Sequence, residues 1–207
     1  MPIHTVRVTL NRLRNRKNQP IKLPFPISPT LRLAQISEGP KFAGVEPIYL
    51  KRWSNLNLLS PNVVAGFTSQ LQHLAEVAVL GALDVSSVDH AVVALTRYGT
   101  PPLTDPVRVT LWQAFGVPIF ELYLGPDHSL LAAECEAHEG WHPVPGVAFS
   151  VMENGELVID GAGHNGLRTG LRALVEPGPC PCGRSSLRLL DVESANGPEA
   201  LFQAVSA

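Results

Sequence analysis

Residues 62–124 switch between short apolar runs and amphipathic stretches, and this alternation restricts the fold more than any other feature of the chain. NVVAGF, Asn62 to Phe67, is a compact apolar run of the kind that forms a buried strand. TSQLQHLAEVAVLG then changes to helical spacing. Leu71, Leu74, Ala75 and Ala78 fall on one face, Thr68 or Ser69 can cap the start, and Gly81 can end it. HAVVALTRY, His90 to Tyr98, is a second strand, and GTPPLT is a turn. DPVRVTLWQAFG is a second helix, with Asp105 as N-cap, Pro106 at the first helical position and Gly116 at the stop. VPIFELYL is a third strand. Strand, helix, strand, helix, strand predicts parallel pairing through right-handed crossovers, hence an α/β fold.

After Gly125 the period changes. SLLAAECE, GVAFSVM, GELVIDGAG and SSLRLLDVE read as short strands between Gly, Pro and Asn turns. EPGPCPCGR reads as a loop and GPEALFQAVSA as a short closing helix. No internal repeat is present. The expected organisation is an arm over residues 1–59 and a core over 60–207. The core divides into a parallel βαβαβ unit over 60–125 and a β-rich part over 126–207.

The arm concentrates positive charge in a chain of 207 residues whose net charge is only −2. Arg7, Arg12, Arg14, Arg16, Lys17 and Lys22 all precede the first acidic residue, Glu38. Pro20, Pro24, Pro26 and Pro29 make the segment extended, with VRVTL as its one strand. Two readings stand for it: a solvated arm that docks on its own domain, or a grip for phosphates or an acidic protein surface. No apolar run reaches the length of a membrane helix, and the start lacks the apolar core of a signal peptide. Three cysteines are too few for a disulfide framework. A soluble protein in the reducing cytoplasm is the expectation.

All three cysteines lie in the β-rich part. Cys180 and Cys182 form a C-x-C pair, and Cys135 stands in AAECEAHEGWH ahead of His138 and His142. Thiolate and imidazole are the ligands that zinc prefers, four in a tetrahedron. Cys135, His142, Cys180 and Cys182 supply such a set. The chemistry alone leaves equal room for three ordinary, partly buried cysteines beside surface histidines.

PGPCPCGR taken with AAECEAHEGWH resembles the phenylacetate–CoA ligase-like branch of the adenylate-forming enzymes, in which some members hold a structural zinc at these loops. The likeness runs from about Pro61 to Leu190. SPNVVAGFTSQLQHLAE, LDVSSVDHAVVALTRYGTPPLT, LWQAFGVPIFELY, NGELVIDGAG and GLRTGL follow the family's segments in order. The resemblance implies a partial adenylate-forming core and a β-rich subdomain stapled by structural zinc, with His142 preferred to His138 as fourth ligand. It also marks Gly99, Tyr123 and Arg168 as vestiges of a nucleotide site.

The chain departs from the family where adenylation is done. No Ser/Thr/Gly-rich phosphate loop precedes Pro61, and no domain with a catalytic lysine follows Leu190 within these residues. The family's Y-G-x-T-E segment becomes Tyr123-Leu124-Gly125-Pro126-Asp127, where Asp127 is a displaced carboxylate. In R-T-G-D the aspartate grips the ribose hydroxyls. Here the run is Arg168-Thr169-Gly170-Leu171, and leucine accepts no hydrogen bond. Nucleotidyl transfer depends on positioning and charge stabilisation, which these losses remove. The expectation is a non-catalytic zinc module acting as a subunit or scaffold, docking on a protein partner through its basic arm. The alternative is part of a split acyl-adenylating enzyme whose phosphate loop and lysine come from a partner chain. A nucleic-acid-binding protein using the arm is the third reading.

Other residues read as structural. His73 and His90 are isolated, Ser86 and Ser87 lie in no nucleophile elbow, and Trp112 reads as core. Glu134, Glu136 and Glu139 form a solvated acidic loop or support the metal ligands. Arg184 and Arg188 are expected at the surface or bracing a loop.

Overall fold

The computed structural model describes residues 19–161 and 163–195. The first strands are β1 (Leu33–Gln35) and β2 (Ile48–Tyr49), followed by the short helix α1 (Leu56–Leu59). Then come β3 (Val63–Phe67), α2 (Thr68–Val79), β4 (Ala91–Arg97), α3 (Asp105–Phe115) and β5 (Ile119–Leu124). The remaining strands are β6 (Leu130–Glu134), β7 (Trp141–Pro143), β8 (Val147–Val151), β9 (Glu156–Gly161), β10 (His164–Glu176) and β11 (Arg188–Ser194). All eleven strands join one sheet, in the order β2-β1-β3-β4-β5-β6-β7-β11-β10-β9-β8. The first five are parallel, and every pairing from β5–β6 onward is antiparallel. The fold is mixed α/β around a large sheet, with the expected βαβαβ unit at its centre.

Strands β3 and β5 are buried along their whole length, as parallel strands covered on both faces must be. On one face, Leu71, Leu74 and Ala75 of α2 and Leu111 and Phe115 of α3 pack against Val64, Val92 and Ile119. Gly116 ends α3 in the left-handed conformation at φ 65°, where a residue without Cβ carries no steric cost. The helix starts one residue before the expected position, with Thr104 at the cap. Neither Thr68 nor Ser69 caps α2; the Phe67 N–H instead donates to the Gln70 side chain at 3.3 Å.

The other face corrects the picture of residues 19–59 as an extended arm. Ile21, Leu23, Phe25 and Phe42 are buried against Val63, Val93, Leu95 and Leu122. Strands β1 and β2 continue the parallel sheet past β3, across the boundary expected at residue 59. Burial of these four apolar side chains, Ile21, Leu23, Phe25 and Phe42, holds the proline-rich segment against its own domain, one of the two readings of the arm. The basic block of Arg7, Arg12, Arg14, Arg16 and Lys17, the VRVTL strand and the GPEALFQAVSA helix lie outside the described residues.

A third cluster, with Tyr123, Leu131, Trp141, Leu157, Ile159 and Leu189, forms the interior of the β-rich part. The spacing revealed neither β7 nor the 13-residue β10 that form part of it. Trp112, expected in the core, is 55% exposed because Leu111 and Phe115 take the inward face of α3. No helix among the described residues is long and apolar enough to cross a membrane.

Candidate metal centre

Cys135, His142, Cys180 and Cys182 come together from two hairpins. Cys135 follows β6, and His142 sits in β7 opposite Ala133. Between them the His138 N–H donates to the Cys135 carbonyl at 2.9 Å and turns the chain. Cys180 and Cys182 lie in the connection from β10 to β11. There the Gly183 N–H donates to the Cys180 carbonyl, and the Cys180 N–H to the Arg184 carbonyl, each at 2.8 Å. The pair Leu189–Trp141 sets the start of β11 against the start of β7 and so brings the two turns to one place. Gly140 makes the approach possible. Its φ is 79°, and a Cβ there would lie 2.5 Å from the Leu189 carbonyl oxygen.

The four ligand atoms all lie within 4.8 Å of one another. Cys135 Sγ is 3.6 Å from Cys180 Sγ, and Cys182 Sγ is 3.7 Å from His142 Nε2. Zinc–sulfur bonds of about 2.3 Å at tetrahedral angles put ligand atoms roughly 3.8 Å apart. These two separations match the edges of a metal tetrahedron, and the sulfur–sulfur separation is far beyond a disulfide bond. All three cysteines are free. His142 is buried, and its Nδ1 lies 3.2 Å from Ser186 Oγ, which fixes the ring with Nε2 toward the sulfurs. Burial, with the charges of Arg184 and Arg188, lowers the His142 pKa and favours the neutral imidazole a metal needs. Burial pushes the Cys135 thiol up to about 11, helped by the neighbouring thiols. At Cys182 burial acts in the same direction but is outweighed by the hydrogen bond at Arg184, the two other thiols and the Arg184 charge, so its pKa falls. His138 stays outside the set. It is exposed and stacks on the Phe120 ring, with centroids 4.7 Å apart.

Two polar networks flank this centre, and neither was apparent in the sequence. Arg188 is buried and pairs with Glu139 and Glu176. Further along the sheet, Arg108 donates to Glu134 at 2.7 Å, and Glu134 accepts the Glu121 N–H at 2.7 Å. Glu121 accepts from the Thr96 hydroxyl and, at 2.7 Å, from the Leu103 N–H, and lies 3.9 Å from Arg108. Burial raises the Glu121 pKa to about 7. Both networks line a groove of about 1100 Å³ between α3 and the start of β11, with Trp112 on its rim.

The vestigial nucleotide candidates sit near the carboxyl ends of β4 and β5. Gly99 is in an exposed turn, next to Tyr98, whose hydroxyl donates to the Arg168 carbonyl at 2.6 Å. The Arg168 guanidinium is held by Glu156. Tyr123 is fully buried and stacked on Trp141, with a hydroxyl that has no hydrogen-bond partner. Asp127 is taken up within its own turn, accepting from the Ser129 hydroxyl at 2.6 Å. Leu171 is a buried member of the third cluster.

Solved structures carry the same architecture. The chain matches 2-hydroxyisobutyryl-CoA ligase in complex with 2-HIB-AMP and CoA with a TM-score of 0.63 and 17% identity, covering 81% of this chain and 44% of the ligase. It matches coronafacic acid ligase from Pectobacterium brasiliense with a TM-score of 0.55 and 15% identity, covering 91% of this chain and 43% of that one. No family model matches the chain, and neither does any curated protein. The fold is thus similar to that of part of these ligases. The chain spans less than half the length of these ligases, and it carries a close Cys3His group able to hold a metal ion.

Proposed function

We propose that this chain is a non-catalytic zinc module built on an adenylate-forming ligase fold, serving as a subunit or scaffold in a protein complex. The observation that carries the reading is the pairing of a close Cys3His group with a buried Leu171 at the place where the resemblance implies a ribose-binding aspartate. Zinc fits the donor set better than harder cations do, because three of four donors are sulfur. When bound, the ion would contribute folding free energy to the turns that supply its ligands. Cys135, His142, Cys180 and Cys182 would hold it, with Ser186 orienting the imidazole. The C-x-C-G-R loop favours the phenylacetate–CoA ligase-like branch among the adenylate-forming enzymes. Three unpaired thiols suit a reducing, cytoplasmic setting. The basic block before residue 18 is the proposed contact with a protein partner.

The test is calorimetric titration of ATP and magnesium into the zinc-loaded protein. The expected result is no heat at millimolar nucleotide. Micromolar binding would overturn the non-catalytic reading and favour a second one, a split ligase completed by a partner chain. That second reading is supported by the likeness of fold to 2-hydroxyisobutyryl-CoA ligase structures, which the chain matches with TM-scores above 0.6.

A further inference from the structure

Arg188 opens β11 and is 8% exposed, a depth at which arginine is found only when its donors are engaged. Its Nη1 donates to Glu139 Oε2 at 2.5 Å, and its Nη2 donates to Glu176. Glu139 lies between Cys135 and His142, and Glu176 ends β10 just ahead of the turn that holds Cys180 and Cys182. One guanidinium therefore fastens both ligand-bearing segments through contacts that use no sulfur. A further donor, Nε–H, is buried without a hydrogen-bond partner. Cys180 is the neighbour that stands ready. It is buried, and against the effect of burial its sulfur, with Glu139 and Glu176, raises the Arg188 pKa. A protonated thiol is a weak acceptor, whereas the sulfur of a metal-bound cysteine is a thiolate and a strong one.

We propose that Arg188 is a positioning residue for the metal centre, holding its two ligand loops together through Glu139 and Glu176 and donating Nε–H to the zinc-bound Cys180 thiolate. The proposal rests on the zinc reading above. Its physical content is that a buried donor with no other partner is satisfied only when the neighbouring sulfur carries a metal. Lysine cannot substitute. It keeps the positive charge but lacks the planar fork that reaches two carboxylates on one side while pointing Nε–H to another.

The experiment uses the full chain, loaded with zinc for chelator competition and with cobalt(II) for spectroscopy. Wild type is expected to bind one equivalent, and Arg188→Met to bind zinc about 10–100-fold more weakly. In the cobalt form, the sulfur-to-metal charge-transfer band of Arg188→Met should shift in energy at unchanged intensity, because three thiolates remain and one has lost a hydrogen bond. The double variant Glu139→Gln/Glu176→Gln keeps Nε–H, so it should weaken binding and leave the band in place. Arg188→Lys should behave like Arg188→Met and keeps the test available if the methionine variant fails to fold. Equal zinc affinity and an unshifted band in Arg188→Met would overturn the proposal, as would full rescue by lysine. A wild type that binds no zinc would remove the zinc reading itself, an outcome separable from all of these.

Discussion

Strands β3 and β5 bury every residue they have, whereas β10, on the far side of the same sheet, has only two buried positions among its thirteen residues. The parallel half is held by apolar area covered on both faces, with helices on one side and residues 19–45 on the other. In the β-rich half, β8, β10 and β11 leave many positions exposed, and named cross-links do more of the work there. Arg168 with Glu156, Arg188 with Glu139 and Glu176, and the Thr169 hydroxyl to the Leu157 carbonyl at 2.8 Å tie its strands together. The contrast teaches that one sheet can be stable for two reasons, and that each half should fail under a different insult.

Metal removal is the strongest way to break the comparison. Structural zinc contributes on the order of 10 kcal/mol in small modules, far more than any one side chain. A chelator, or Cys182→Ser, should therefore release hydrogen-exchange protection in β7, β10 and β11 while β3 and β4 stay protected. A Cys182→Ser protein that keeps its metal and its protection would rule the site out. The reverse insult is Leu71→Ala. Leu71 is fully buried between α2 and the sheet, so its truncation should cost about 2–5 kcal/mol of unfolding free energy. Zinc affinity should not change, because the side chain belongs to the other half. Denaturant unfolding followed by chelator competition on the same variant checks both parts.

How far each half can be read from its sequence follows the same division. The parallel half was legible because a strand buried on both faces is an uninterrupted apolar run, and because Gly116 and Pro106 punctuate α3. Strands β1 and β2 were not, since three and two residues carry no period. Strand β10 was hidden because Gly166 and Gly170 take positive φ and its pairing with β9 shifts register twice, which erases the alternation. The four candidate ligands were nameable from their chemistry, which left equal room for ordinary cysteines, and the preference for His142 over His138 came from the family resemblance. Arg188 and Ser186 were not nameable, because what they do depends on partners 49 and 44 residues away. Arg108, Glu121 and Glu134 resemble surface charges in the sequence and become a buried network only once β5, β6 and α3 meet.

Glu121 sharpens the comparison at the seam, where the parallel half passes into the antiparallel one. Its folded pKa of about 7 lies above the ordinary 4.5, mainly because burial disfavours the charge. A carboxyl raised in this way stabilises the fold fully below pH 4.5, and that contribution is lost as pH rises toward 7. The span corresponds to about 3 kcal/mol. Asp127, whose pKa is lowered by its bonds to Ser129 against the effect of burial, contributes in the opposite sense and at lower pH, so the windows separate. Glu121→Gln keeps an acceptor for Thr96 and Leu103 and should flatten the decline in stability between pH 4.5 and pH 8. Parallel pH profiles for the two proteins would show that Glu121 is ionised throughout.

The smallest effect is expected at Trp112, and it tests whether the groove contributes anything to either half. Although tryptophan is the largest apolar side chain, this one is 55% exposed on the outer face of α3, and the inward positions belong to Leu111 and Phe115. An exposed residue away from caps, cores and networks changes stability by no more than about 0.5 kcal/mol. Trp112→Ala should stay within that limit in denaturant unfolding, and zinc affinity should be unchanged. A loss comparable to Leu71→Ala would mean that the indole is covered in the working protein. The groove between α3 and β11 would then belong to the protein's interior, and the two halves would share a core.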